Sequence, residues 1–198
     1  ARNLQMAYQA SYTKHVTFVS IPENLRLGNA IHIFTRPDRI VVGLQDQNDK
    51  VFIDKLLSPF SDNIIWMSLE SAEMTKHALN AFLATSVTFI NELATLCEKV
   101  GANANEVEKG LKSERRIGSK AYLKPGNAIG GGTLLRDIYY LNQLGQRVNE
   151  PTYLFTSILE SNHYHKNWVH RKLKSILNNV ENKTLAVLGL TYKASTDT

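Results

Sequence analysis

From Ser71 to Val100 the chain contains no proline and no glycine, and the run stops at Gly101. Within it Phe82, Phe89, Leu93, Leu96 and Val100 recur at steps of seven, four, three and four residues, which marks one apolar helix face. Ser68 or Ser71 can cap the start, Glu70 and Glu73 suit the positive end of the helix dipole, and Gly101 is a natural stop. A helix of about 30 residues is roughly 45 Å long. That is longer than a compact domain usually holds, so the segment is expected to connect domains or to form a dimer spine.

The flanks have a different texture. Before the long helix, His15 to Ser20, Arg39 to Leu44 and Asn63 to Met67 are short β-rich runs, and Asp49 to Leu57 has helical spacing. The order strand, strand, helix, strand is α/β material, too short for a whole doubly wound sheet. After the long helix, Asn105 to Leu111 is a short helix candidate and Ser119 to Gly132 is a loop rich in Gly, Pro and Lys. Thr133 to Leu144 reads as a helix with Thr133 at its cap and Gly145 as its stop. Pro151 to Val180 reads as one long helix with Pro151 in its first turn. Lys183 to Leu190 opens like a buried parallel strand. The expected organisation is an α/β end over residues 1–68, a helical middle over 69–182 and an α/β beginning over 183–198.

Composition excludes several classes. A hydrophobic content of 43% supports a real core. No apolar run approaches the roughly 20 residues that a membrane-spanning helix needs. No signal peptide is visible behind Ala1, and the cytoplasm is the expected compartment. The one cysteine, Cys97, excludes an internal disulfide and thiolate-rich metal sites, and it reads as a buried structural thiol. His163 and His165 are two apart on a helix, on different faces, so no metal pair is expected there.

The net charge of +5 resides partly in two clusters. Lys166, His170, Arg171, Lys172 and Lys174 fall in a helical pattern and read as a solvated face. Lys112, Arg115, Arg116, Lys120 and Lys124 are interrupted by Gly118, Pro125 and Gly126, so they belong to a loop suited to a phosphorylated small molecule. No aromatic ladder accompanies either cluster, which argues against nucleic acid.

Some residues carry possible chemistry. Gly130-Gly131-Gly132 precedes a helix and can expose backbone N–H groups to an anion; the plain alternative is a flexible loop. It is not a dinucleotide fingerprint, since the chain contains no G-x-G-x-x-G. Lys76 and Asn80 lie i, i+4 on one face of the long helix, where a cation and an amide can donate to a developing oxyanion; the plain alternative is helix surface. Asp137 is the only acid in its helix, and Glu23 follows Pro22 at a strand exit.

Taken together, PENLRLGNAI (Pro22 to Ile31), PDRIVVG (Pro37 to Gly43), SAEMTKHALNAFLATSVTFINELATLCEKVGAN (Ser71 to Asn103), RIGSKAYLKPG (Arg116 to Gly126), GGxxxxxD (Gly130 to Asp137) and LAVLGLTYK (Leu185 to Lys193) resemble the UDP-glucose/GDP-mannose dehydrogenases. Those are NAD-dependent enzymes that oxidise the C6 hydroxyl of a nucleotide sugar to a carboxylate. The resemblance covers nearly the whole chain in order. It implies the end of a Rossmann-like NAD domain, a central helical domain that dimerises through the long helix 71–100, and the first strand of a second Rossmann-like domain that grips the nucleotide.

Position by position, the resemblance places Glu23 at the family's acid after the strand. It places Lys76 and Asn80 at the Lys and Asn that stabilise oxyanions and hold the reactive water. Asp137 matches the Asp of the hydrolytic step, and Arg116 the arginine that reaches substrate across a dimer. Tyr122, Leu123 and Lys124, with Gly130 and Gly131, fall in the nucleotide-sugar loop, and Lys193 approximates a lysine of the third domain. One departure is large: Thr133 stands where the family has its nucleophilic cysteine. A thiolate captures the aldehyde as a thiohemiacetal, which a second oxidation turns into a thioester; a threonine hydroxyl is far less acidic. Ala128 and Ile129 replace a glycine and an aromatic of the same motif. The expectation is a truncated, by itself inactive piece of a nucleotide-sugar dehydrogenase with an altered second oxidation. The alternative is a non-catalytic pseudoenzyme or dimerisation module.

Overall fold

A computed structural model describes residues 2–12, 16–23, 25, 28–179 and 181–189. Contacts divide the chain into two compact units, Ala1–Lys76 with Ala186–Thr198, and His77–Leu185. The fold is α/β and rich in helix, with a small sheet and one long helix.

The first unit is built on β1 (Val19–Ser20), β2 (Ile40–Leu44) and β3 (Ile64–Ser68), in the order β1-β2-β3. β2 pairs antiparallel with β1, Val19 opposite Leu44, and parallel with β3 from Ile40 opposite Ile64 to Leu44 opposite Ser68. With a neighbour on each side, β2 is buried from Val41 to Leu44, which explains its unbroken apolar run. Val42, Leu44 and Ile53 form the core, and Ile53 comes from α3 (Lys50–Leu57) between β2 and β3. Gly43 lies against the chain that follows β3. A β-carbon there would come 2.7 Å from the Ala72 methyl and 2.9 Å from the Leu69 Cα.

Two helices in this unit lack a sequence signature. α1 (Arg2–Ser11) packs Tyr8 on Tyr12 and against Phe18. α2 (Ala30–Thr35) is six residues long, too short to display a period. His15, at the start of the expected first strand, lies outside the described residues.

α4 (Leu69–Val100) begins in the first unit and continues through the second. Its 32 residues make it roughly 48 Å long. The Ser68 hydroxyl accepts from the Ser71 N–H at its start, and Gly101, at φ 75°, ends it while the Ala102 N–H donates to the Cys97 carbonyl. The face buried within the chain is not the apolar stripe of the sequence. Ala81, Ala84, Thr88, Ile90, Asn91 and Cys97 are buried, whereas Phe82, Phe89, Leu96 and Val100 are 71%, 49%, 61% and 78% exposed. Apolar spacing identifies a face to be covered, not the element that covers it, and small residues let neighbours approach the other side.

In the second unit Ala81 and Ala84 of α4, Ile129, Ile138 and Leu141 of α6 (Thr133–Val148) and Ile158 of α7 (Tyr153–Lys166) form one core. α5 (Ala104–Ser113) follows α4, its N–H of Asn105 capped by the Asn103 side chain.

Four expectations need correction. Gly145 does not stop α6. The helix runs to Val148, and Asn149 ends it in the left-handed conformation at φ 57°. Gly145 instead allows the returning chain to approach: a β-carbon there would lie 2.6 Å from the Thr152 methyl and 2.8 Å from the Glu150 carbonyl oxygen. Gly132, not Thr133, occupies the cap position of α6. The expected single helix from Pro151 is two. Pro151 precedes the cap residue Thr152, and α7 gives way at Asn167 to α8 (Trp168–Leu177). Arg171 fixes this break: its Nη1 donates to the Tyr164 carbonyl at 2.7 Å and its guanidinium covers the Tyr164 ring at 3.7 Å. Finally, the described part of the expected last strand, residues 183–189, pairs with no strand among the described residues and is exposed.

Candidate functional site

In the first unit the Lys76 ammonium donates to the Glu23 carbonyl oxygen and lies 3.7 Å from its carboxylate Oε1. Oε2 accepts from the Leu25 N–H at 2.7 Å. Two residues 53 apart in sequence are therefore neighbours, with Lys76 largely covered and Glu23 mostly exposed.

In the second unit Asp137 sits on the buried face of α6, its side chain 4% exposed. Both carboxylate oxygens are held from α4. Asn80 Nδ2 donates to Oδ2, and His77 Nδ1 lies 3.0 Å from Oδ1. The His77 ring stacks on Tyr140 of α6 at 4.1 Å between centroids. Asn80 is itself buried, so the amide and the acid satisfy each other out of water. His77 carries no sequence signal of its own, being one residue after Lys76 and hence on another part of the helix surface. Only the packing of α6 on α4 reveals it.

Thr133 is exposed at the start of α6, one turn before Asp137 on the same face. The loop ahead of it is clamped to α4 and α7 by side chains that sequence reasoning missed. Asn91 accepts from the Gly126 N–H at 3.0 Å and donates to the Asn127 carbonyl at 3.1 Å. Asn162 accepts from the Ile129 N–H at 2.7 Å and returns a bond to the Ile129 carbonyl at 3.2 Å. His165 Nε2 donates to the Gly126 carbonyl at 2.9 Å. Buried amides on helices, aimed at a loop, are the only signal that could have found them. Gly131 needs glycine for its φ of 69°, while Gly130 and Gly132 have negative or extended backbones and open space where a β-carbon would stand.

Arg116 is 87% exposed in its side chain, and its Nε donates to Glu114 Oε1 at 3.1 Å. That bond, joined by the backbone N–H of Arg116, holds the Glu114 carboxyl below its ordinary range. Tyr122 and Lys124 are exposed on either side of Leu123, whose side chain is buried. Lys193 lies outside the described residues. Cys97 is free and buried. Among the described residues no three His, Cys, Asp or Glu side chains converge to hold a metal, and no helix is long and apolar enough to cross a membrane.

The profile of the UDP-glucose/GDP-mannose dehydrogenase family, central domain, matches residues 70–164, which carry α4, the clamped loop and Asp137. The chain belongs to that family. A UDP-glucose 6-dehydrogenase of Bacillus subtilis is 38% identical over 98% of this chain and 41% of its own length. A UDP-glucose 6-dehydrogenase of Rickettsia bellii is 38% identical over 90% of this chain and 42% of its own. The structure of a UDP-glucose dehydrogenase from Pyrobaculum islandicum superposes with a TM-score of 0.76 at 28% identity, over 82% of this chain and 37% of that one. The UDP-N-acetyl-mannosamine dehydrogenase Cap5O of Staphylococcus aureus shares the fold at a TM-score of 0.75 and 20% identity, over 98% of this chain and 46% of that one. The chain therefore spans under half the length of each of these proteins.

Proposed function

We propose that this chain is the central part of a nucleotide-sugar 6-dehydrogenase that oxidises the C6 hydroxyl of a UDP-sugar, with NAD as the hydride acceptor in the whole protein. The observation that carries the reading is the buried Asp137 held at both oxygens by Asn80 and His77, inside the segment that matches the family. In this reading Asp137 serves the hydrolytic step, held in place by Asn80. Lys76 and Glu23, adjacent in the first unit, supply a cation and an acid–base group. Arg116, Tyr122 and Lys124, with Gly130 and Gly131, form the surface offered to the nucleotide sugar, with the buried Leu123 anchoring the loop between Tyr122 and Lys124.

The residues present do not by themselves fit a dinucleotide. Neither β2 nor β3 opens into a glycine-rich turn. β2 leads to Asp46, whose carboxylate caps the next turn, and β3 leads into a first helical turn bearing Glu70. Acids in those places oppose a pyrophosphate.

The apolar stripe of Phe82, Phe89, Leu96 and Val100 supports a homodimer along α4, in a cytoplasmic enzyme. Thr133 supports an altered second oxidation, because a hydroxyl replaces the thiol that would capture the aldehyde. The test is to assay the protein that carries this chain with UDP-glucose and NAD, counting NADH per sugar. One NADH per sugar, or a slow second one, is expected, with the chain alone inactive. Two NADH at steady rate, with Thr133→Ala as fast as the parent, would sink the claim that the missing thiol limits the reaction. The second reading, a non-catalytic dimer module, is favoured by Thr133 alone and predicts binding of UDP-glucose without NADH.

A further inference from the structure

The His77 imidazole is oriented more fully than a surface histidine needs to be. Its Nδ1 faces an acceptor-only carboxylate oxygen at 3.0 Å, so Nδ1 carries the proton. Its ring is fixed face-on against Tyr140, 4.1 Å away. Asp137 is buried and cannot turn aside, because Asn80 holds its other oxygen. Nε2 is left with its lone pair and no hydrogen-bond partner among the described residues, on a side chain 26% exposed. A buried carboxylate, an imidazole bonded to it through Nδ1 and a free Nε2 that water can reach are the parts of an oriented general base.

We propose that His77, oriented by Asp137, is a general base that hydrates a carbonyl carbon. Nε2 takes a proton from a water as its oxygen bonds to the carbon. The carbon–oxygen π bond opens, its electrons go to the carbonyl oxygen, and the imidazolium then returns the proton to that oxygen. The product is the aldehyde hydrate, with no change of oxidation state and no covalent enzyme intermediate. Asp137 offsets the charge that appears on the ring. In the dehydrogenase reading, on which only this choice of carbonyl rests, the carbon is C6 at the aldehyde stage. The hydrate then takes the place of the adduct that a thiol at position 133 would form.

The experiment follows 18O entering an aldehyde from labelled water, with the full chain and no nicotinamide present. Two probes are used, the C6 aldehyde of UDP-glucose and acetaldehyde, which needs no nucleotide surface. His77→Asn keeps a donor toward Asp137 but has no base. Exchange of both probes is expected to fall by at least about tenfold in that variant, a modest share of the roughly 100-fold or more that general bases supply. Imidazole added to His77→Ala is expected to restore exchange beyond imidazole alone. Catalysed exchange of acetaldehyde with no preference for the UDP-sugar aldehyde supports the base and counts against the dehydrogenase reading. No catalysed exchange of either probe, or a His77→Asn variant as fast as the parent, overturns the base. A further readout needs no variant. The 15N shifts of the neutral form of His77 in the native chain are expected to show the proton on Nδ1, and a neutral ring protonated on Nε2 overturns the proposal.

Discussion

Asn162 pairs with Ile129 through two hydrogen bonds, its side-chain amide serving the backbone N–H and C=O of one loop residue as a neighbouring strand would. Both residues are buried, so water cannot replace the amide. Each buried backbone group left unpaired costs about 1–3 kcal/mol. Asn162→Leu is therefore expected to lower unfolding stability by roughly 2–5 kcal/mol, read from the midpoint and slope of urea denaturation. Asn162→Asp, which still accepts from Ile129, should fall between it and the parent.

Gly145 argues for a second loss. Alanine is ordinarily better than glycine in a helix by about 1 kcal/mol. Here its methyl would meet Thr152 Cγ2 at 2.6 Å and the Glu150 oxygen at 2.8 Å. Overpacking of this kind costs about 1–3 kcal/mol, so Gly145→Ala should destabilise despite its propensity. Thr152→Ser removes the offending methyl and keeps the hydroxyl that bonds Asn142 Oδ1. The double variant should recover part of the loss in thermal unfolding.

The Glu114 carboxyl is held low chiefly by the Arg116 side chain. A lowered folded-state value means that the pairing is present above the carboxyl's unfolded value and is lost as pH falls through the folded one. Arg116→Ala should move the Glu114 titration upward toward the ordinary carboxylate range, in part only, since the backbone N–H donors of Arg116 and Arg115 remain. Side-chain carboxyl NMR across an acid titration measures it. No shift would mean that the Arg116 side chain does not hold Glu114 in solution.

Phe82 and Phe89 test self-association. Both are exposed in the single chain, so Phe82→Glu with Phe89→Glu should leave its fold intact. If α4 pairs with a second α4, two charges in the seam should convert a dimer to a monomer by sedimentation equilibrium. A dimer that persists at the same affinity places the contact elsewhere.

Sequence patterns revealed the elements whose periodicity is long or whose burial is complete. β2 reads as an apolar run because strands flank it on both sides, and α4 because 32 residues repeat one spacing. The break at Asn167 was illegible because no proline or glycine marks it. Arg171 and Tyr164 hold it through a bond seven residues long in sequence. The same limit applies to chemistry. Asp137 and Asn80 were legible one at a time, but their pairing spans 57 residues, and the His77 contact spans 60. Such contacts exist only once α6 lies on α4, so local spacing carries no trace of them.

The glycines at 130 and 132 have a consequence for mutational tolerance. Nothing among the described residues stands where their side chains would be, and neither backbone is in the left-handed region. Alanine at either position should be nearly invisible to any screen that reads folding. A screen that reads ligand capture should see those same substitutions, because a methyl would stand between the ligand and the bare peptide. Divergence between the two screens would map the ligand's approach to this loop without a structure of the complex.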